Sequence, residues 1–327
     1  VTSPPTASGF LLVDKPPGLT SFGVVERVRR WTKIGKVGHT GTLDPFATGL
    51  LVLCLGRATR LARYITDWEK LYIGTVRLGV ETDTDDPTGE VVRQAPVPAI
   101  TDATLDRALK SFRGTIVQRP PRFSAKKQSG IPSYRLARQG KEVDLEPVTV
   151  RIIDLDVIGR GGTELQIRVR CSKGTYMRSL ARDLGRVLGC GGHLAGLRRI
   201  AVGHLTVDDA FSLDCVKGWR RRDSEQWILP AGRIFSTWAA ISLSDEEAGK
   251  VRHGQDFFAD PARTVEGGQR RQGDWVRLVG KEGEFLAVGR VVESGTEGMR
   301  IHPETVFAER AGRYLETANR KSQIGKQ

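Results

Sequence analysis

Residues Lys36 to Gly49 read K-V-G-H-T-G-T-L-D-P-F-A-T-G, and how this stretch is read decides the rest of the chain. It sets one carboxylate, Asp44, on a loop rich in glycine and threonine, with His39 five residues earlier. Asp44 before Pro45 has the form of a helix N-cap followed by proline at the first helical position, with Gly49 as the stop. A cap position holds a carboxylate rigidly and lowers its pKa through backbone donors. A fixed, ionised carboxylate is also what attack on the anomeric carbon of a sugar requires. The structural and the chemical readings of Asp44 are therefore compatible.

Around that loop the chain is strongly basic, with 51 Lys and Arg against 38 Asp and Glu and a net charge of +13. A lone acid on a tight loop in a cationic protein points to chemistry on a polyanion, because neutralising phosphates releases counterions and steers encounter. The 327 residues suit one large domain and a smaller one. The longest apolar run, Leu50 to Leu55, is too short to span a bilayer, so no membrane is expected. The opening V-T-S-P-P-T-A-S has no basic stretch ahead of a hydrophobic one, and residues 1–8 are expected to be a disordered tail. Cys54, Cys171, Cys190 and Cys215 form no C-x-x-C pair, which argues against structural zinc and fits a reducing cytoplasm.

Working outward, G-F-L-L-V-D from Gly9 to Asp14 reads as a buried strand ended by the K-P-P-G turn at Lys15 to Gly18. Thr20 or Ser21 then caps a short amphipathic helix whose Val24, Val25 and Val28 share one face, leaving Glu26, Arg27, Arg29 and Arg30 outward. Leu50 to Leu55 reads as a buried strand and Lys70 to Leu78 as an alternating one, followed by the acidic turn E-T-D-T-D-D-P-T-G. Helices are expected over Asp102 to Phe112, Ser133 to Gln139 and Thr175 to Leu188, and strands over Val148 to Val157 and Glu164 to Cys171. Without regular βαβ alternation, this mixture favours an α+β fold. Beyond Ile241, short apolar runs between glycine turns suggest a small β-rich barrel, interrupted by a basic loop from Pro261 to Gly273. Arg220 to Gln226 reads as a linker.

His39 has three readings: metal ligand, base or solvent-facing loop residue. With five histidines and no H-x-x-x-H pair, metal is disfavoured. Neither a phosphate-binding G-x-x-x-x-G-K-[ST] loop nor a dinucleotide-binding G-x-G-x-x-G is present, so no cofactor is expected. The Asp83 to Asp86 segment lacks the glycine and terminal glutamate of a calcium loop and reads as a plain turn. In C-S-K-G-T-Y-M-R-S-L-A-R-D-L-G, Cys171 to Gly185, Tyr176 and Arg178 open a helix and Arg182 follows one turn on. A helical arginine is usually a surface residue. Paired with Asp44, however, Arg178 would keep that acid ionised and aimed through a bidentate bond. Tyr72, in K-L-Y-I-G, is either core or a ring on which a base can stack.

Taken together, G-F-L-L-V-D-K-P-P-G-L-T-S, G-H-T-G-T-L-D-P-F-A-T-G, K-L-Y-I-G, C-S-K-G-T-Y-M-R-S-L and L-R-R-I-A-V-G (Leu197 to Gly203) resemble the TruB family of bacterial tRNA pseudouridine synthases. The resemblance implies a pseudouridine synthase fold with a mixed, mainly antiparallel central sheet over residues 9–230. It also implies a thumb insertion at about 122–146 and a PUA-like RNA-binding domain at 241–308, with residues 309–327 left as a charged tail. It implies Asp44 as the catalytic aspartate, His39 as the residue that fills the RNA stack, and Tyr72 as the ring under the flipped base. By the same resemblance Arg178 pairs with Asp44, Tyr176 and Leu197 line the uridine pocket, and Lys15 is the lysine of the first motif. Phe123 stands where many relatives carry tyrosine. The implied substrate is uridine 55 in the T loop of tRNA, modified by a monomer without cofactor, metal or obligate protein partner. The related guide-RNA-dependent synthases lack the thumb element, which argues against that alternative.

Overall fold

The computed structural model describes residues 8–124, 126–128, 131–133, 136, 139, 145–218, 224–260, 270–295 and 298–307. Several expected features lie wholly or partly outside these residues. They are the tail over 1–7, about half of the thumb insertion including most of the helix from Ser133 to Gln139, residues 220–223 of the linker, residues 261–269 of the basic loop, and 309–327. The chain divides into two compact units, the first ending at Leu229 and the second beginning at Pro230.

In the first unit the principal elements are β1 (Gly9–Lys15), α1 (Ser21–Thr32), β2 (Val37–His39), β3 (Thr48–Leu55), β4 (Lys70–Leu78), α2 (Asp102–Lys110), β5 (Gly114–Gln118), β6 (Val148–Gly161), β7 (Glu164–Cys171), α3 (Met177–Val187), β8 (Gly192–Val202) and β9 (Phe211–Ser212). They build a ten-stranded sheet in the order β9-β1-β3-β8-β4-β7-β6-β5, with β2 paired to β3 and Leu205–Thr206 paired to β8. Only β1 with β9 and β3 with β8 run parallel, so the sheet is mixed and mainly antiparallel.

Helix α1 forms where its apolar spacing allows a buried stripe. Thr20 caps it by accepting from the Gly23 amide at 2.9 Å, and Lys33 at φ 59° ends it. Val24, Val25 and Val28 pack on Leu11, Val13, Leu51 and Leu53 of β1 and β3, each such burial contributing about 2 kcal/mol. A second core lies under α2 and α3, where Leu105, Leu109, Leu180 and Leu184 meet Val76, Ile152 and Ile167. Gly185 lets α3 approach the start of β8, since a Cβ there would sit 2.3 Å from the Gly191 carbonyl carbon.

The second unit carries β10 (Ala240–Ser242), α4 (Asp245–Arg252), β11 (Phe257–Ala259), β12 (Trp275–Val279), β13 (Phe285–Gly295) and β14 (Gly298–Val306). Its strands pair as a five-stranded sheet in the order β10-β12-β13-β14-β11 around Val251, Val276, Leu278, Val291 and Ile301. Among the described residues no helix is long and apolar enough to cross a membrane.

Candidate active site

Asp44 does not cap a helix, contrary to the local reading of Asp44-Pro45. Residues 40–47 form an irregular loop between β2 and β3, and its only local backbone bond joins the Ala47 amide to the Asp44 carbonyl at 3.1 Å. Tertiary contacts hold the loop instead. Ser21 Oγ accepts from the Leu43 amide at 2.8 Å and donates to the Leu43 carbonyl at 3.2 Å. The Pro45 carbonyl accepts from the Gly18 amide at 2.8 Å and from Lys15 Nζ at 3.2 Å. Arg199 on β8 donates to the carbonyls of Gly41 at 3.1 Å, Thr42 at 3.5 Å and Leu50 at 2.7 Å. Gly49 is the second residue of β3, with φ +98°, and a Cβ there would fall 2.2 Å from the Arg199 carbonyl oxygen.

Arg178 grips the carboxylate from α3. Its Nη2 and Nε lie 3.0 Å from the Oδ1 and Oδ2 of Asp44, a two-pronged pairing that fits the planar fork. Its remaining donors go to Asp86 Oδ2 at 3.3 Å, the Thr84 carbonyl at 3.1 Å and the Phe123 carbonyl at 2.9 Å. Arg178 is therefore buried and held between two carboxylates, at 6% side-chain exposure against 31% for Asp44. Burial pushes the Asp44 carboxyl up from its usual range, against the pull of Arg178; Asp86 raises it further and Lys15 lowers it. The expected lowering by cap donors is absent because there is no cap.

Lys15 is fully buried and donates to the carbonyls of Pro16, Leu19 and Pro45, which ties the K-P-P-G turn to the Asp44 loop. Desolvation brings its pKa down to about 8, opposed by Asp44 and reinforced by Arg199. His39 ends β2 opposite Leu53. Its Nδ1 is buried without a hydrogen-bond partner, and burial together with the Arg199 charge lowers its pKa. Tyr72, on β4, is 8% exposed and packs with Leu43, Ala47 and Leu197. It stands opposite Arg199 in the β4–β8 register; burial raises the pKa of its hydroxyl, the Arg199 charge opposes that and the nearby Asp44 charge adds to it. Leu197, half-buried on β8, stands opposite Gly74 of β4. Tyr176 is the residue before α3. The Gln118 side chain accepts from its amide at 3.0 Å, and burial raises the pKa of its hydroxyl.

The structure thus gathers Asp44, Arg178, Lys15, Tyr72 and Tyr176 into one electrostatic neighbourhood, with Leu197 in the same apolar cluster as Tyr72 and His39 within the field of Arg199. Two participants escaped the sequence reading. The acidic segment is more than a turn: Asp86, 5% exposed, faces Arg178, and Asp85 pairs with Arg182 at 2.9 Å. Arg199 is the other, masked by its place in the pair Arg198-Arg199. Strand alternation carries a signal, since Arg199 and Leu197 share a sheet face while Arg198 pairs across the other with Asp14 at 2.8 and 3.0 Å.

Three family models match the chain in succession. They are TruB family pseudouridylate synthase (N-terminal domain) over residues 29–177, tRNA pseudouridylate synthase B C-terminal domain over 178–235, and pseudouridine synthase II TruB, C-terminal, over 239–307. Among curated relatives, tRNA pseudouridine synthase B of Solibacter usitatus is 42% identical over 285 residues, covering 87% of this chain and 96% of the relative. Its counterpart in Aromatoleum aromaticum is 42% identical over 288 residues, covering 88% and 90%. Among solved structures, the archaeal box H/ACA sRNP Nop10–Cbf5 complex aligns at a TM-score of 0.70 and 24% identity, over 92% of this chain and 86% of that one. An H/ACA RNP bound to a substrate RNA containing 2′-deoxyuridine aligns at 0.69 with the same identity and coverage. At that identity the solved structures bear on the fold alone.

Proposed function

The chain belongs to the TruB family of pseudouridylate synthases, and from that premise we propose that it converts uridine 55 in the T loop of tRNA to pseudouridine. The enzyme is an isomerase acting on tRNA. The observation that carries the mechanism is the two-pronged grip of Arg178 on Asp44, a carboxylate still partly open to a ligand.

A stacked uridine must leave the RNA helix before its sugar can be reached, at a cost of a few kcal/mol. His39, its Nδ1 without a hydrogen-bond partner, fills the vacated place, while the Tyr72 ring stacks on the extruded base. Leu197 and Tyr176 close the pocket around it. The Asp44 carboxylate, aimed by Arg178, assists cleavage of the N1–C1′ bond, either by attack at C1′ or by stabilising a glycal-like intermediate. The freed uracil turns, C5 bonds to C1′, the C5 proton is lost and N1 ends protonated. Atoms balance without oxidant, metal or nucleotide. The enzyme acts as a monomer on the T-arm, without an obligate protein partner, in the cytoplasm where tRNA is processed.

The test is an unmodified tRNA transcript tritiated at uridine C5, incubated with wild type and with Asp44→Asn. Release of about one equivalent by wild type alone, lost when uridine 55 is replaced by cytidine, is the expected result. A folded, tRNA-binding wild type that releases nothing overturns the reading.

A further inference from the structure

Arg178 has a counterpart one turn further along α3. Arg182 is likewise held between two carboxylates: its Nη1 lies 2.9 Å from Asp85 Oδ2, while its Nε and Nη2 lie 2.8 and 3.2 Å from the two oxygens of Asp183. Nη2 also donates to the Arg119 carbonyl at 3.1 Å, which accepts from Ser179 Oγ at 2.8 Å as well. The side chains of Arg182 and Asp85 are 11% and 13% exposed, and no step above uses them. Apolar side chains of similar volume often replace a buried ion pair without loss of stability, so packing alone does not account for this one.

The backbone of Asp85 supplies a second observation. Its φ is 59°, in the left-handed region, which glycine enters freely and a residue with a side chain enters at a cost, least for Asp and Asn. The chain turns there between Thr84 and Asp86. That turn brings the Thr84 carbonyl and the Asp86 carboxylate to one nitrogen, Nη1 of Arg178, at 3.1 and 3.3 Å. With Nη1 so occupied, the Nη2 and Nε edge of the fork faces Asp44. Glycine would make the turn more cheaply, but the Asp85 carboxylate is what fastens it to α3. From the other side the Leu194 amide of β8 donates to the Asp85 carbonyl at 3.1 Å.

We propose that Asp85 and Arg182 are positioning residues for the isomerisation: their ion pair pins the left-handed turn to α3, which keeps Thr84 and Asp86 on Nη1 of Arg178 and the other edge of that fork squared on the Asp44 carboxylate. The inference rests on the function proposed above. Residues four apart on a helix are surface neighbours, about 5–6 Å from each other, so the two arginines clamp residues 84–86 at two adjacent points. One clamp alone leaves the segment free to pivot about Arg178. Two fix it.

The experiment compares wild type, Asp85→Asn, Arg182→Gln, Asp86→Asn and the double variant Arg182→Gln/Asp86→Asn by single-turnover tritium release, with tRNA affinity from filter binding. Asparagine tolerates the left-handed backbone, so Asp85→Asn removes the charge and keeps the turn. Asp85→Asn and Arg182→Gln are each expected to lose about 10- to 100-fold in single-turnover rate, the scale of an ångström's misplacement, with Kd for tRNA within about threefold. If Arg182 acts through the turn that carries Asp86, the double variant should lose well short of the product of the two single losses. In protein labelled with ¹⁵Nε-arginine, the Arg178 resonance, assigned from Arg178→Lys, is expected to move in Asp85→Asn. Three results would overturn the proposal: a wild-type rate in either variant once folded, losses confined to tRNA affinity, or losses of Arg182→Gln and Asp86→Asn that multiply in the double. Should Arg182→Gln fail to fold, Asp85→Asn decides alone, and an unchanged rate with an unmoved Arg178 resonance refutes the clamp. An inactive wild type would instead refute the proposed function.

Discussion

Replacing Asp86 by asparagine tests whether Arg178 needs its second carboxylate. Asp86 spends both oxygens: Oδ1 accepts from Thr84 Oγ1 at 2.7 Å, the Thr88 amide at 2.9 Å and Thr88 Oγ1 at 2.6 Å, while Oδ2 accepts from Arg178 Nη1 at 3.3 Å. An amide cannot reproduce this. With its nitrogen toward Arg178, two donors face each other; with its nitrogen toward Thr88, the backbone amide loses its acceptor. Either way a buried donor goes unsatisfied, which costs about 2 kcal/mol. In a unit of this size that corresponds to a fall in Tm of roughly 4–8 °C. Catalysis should suffer beyond stability, because the freed side of Arg178 no longer fixes its fork against Asp44. Losing one charge-assisted bond in the transition state, about 1.5–3 kcal/mol, lowers kcat by roughly 10- to 150-fold. The charge of Asp86 also helps to raise the Asp44 pKa, so its removal should move the acid limb of the pH–rate profile to lower pH. Tritium release from tRNA across the acid range, with tRNA affinity measured by filter binding, reads all three effects. A variant that keeps wild-type kcat and Tm, or one whose loss lies wholly in tRNA affinity, would refute the idea that Asp86 orients Arg178.

Other outcomes follow from the same geometry. Asp44→Asn should abolish turnover while tRNA affinity stays within about threefold, because the substitution removes a negative charge and no cation; loss of binding in parallel would make Asp44 structural. Lys15 and Lys70 both have folded-state pKa values near 8, below the ordinary 10.5, so from about pH 8 upward the unfolded chain binds more protons and stability should rise with pH. Cys54 and Cys171 are pushed up to about 12 and about 11 from 9.0, so above pH 9 they oppose that rise; urea midpoints between pH 7.5 and 9 should climb, and Lys15→Met should flatten the slope. Gly49→Ala forces a Cβ into the Arg199 backbone at positive φ and should destabilise the fold by about 3 kcal/mol or more, visible as a large drop in Tm. Of the four free thiols only Cys215 is exposed, so one equivalent should react with an aromatic disulfide reagent in the native protein and four after denaturation.

Where local pattern and tertiary structure agree, the chain was easy to read. The valine stripe of α1, its Thr20 cap and the alternation of Lys70 to Leu78 all report burial against a single neighbour, and that is a property of spacing. Asp44-Pro45 misled because a cap motif describes what the backbone does when nothing else competes. Here Ser21, Gly18, Lys15 and Arg199 supply the bonds a helical turn would have supplied, from positions up to 158 residues away. The same distance hid Asp86, which lies 92 residues from Arg178 in the chain and looks like any acid in a polar turn. Its burial is the one property that separates it from Asp83, and burial at a turn is set by what packs over it.

That contrast explains why the Asp44 loop was legible and its support was not. The Asp44 carboxylate sits on one short contiguous run that can be read as a motif, even though Gly49 within it is fixed by the Arg199 backbone of a distant strand, where no Cβ fits. The groups that aim it come from wherever the sheet order brings them: α3 supplies Arg178, β8 supplies Arg199, and the segment after β4 supplies Asp86. A buried arginine offers up to five donors, so Arg178 ties three separate segments and Arg199 two, which no local motif records. The arginines that matter are therefore recognised by what their forks must satisfy. At this site that means the one between two acids and the one whose fork, among the described residues, meets backbone carbonyls and no acid.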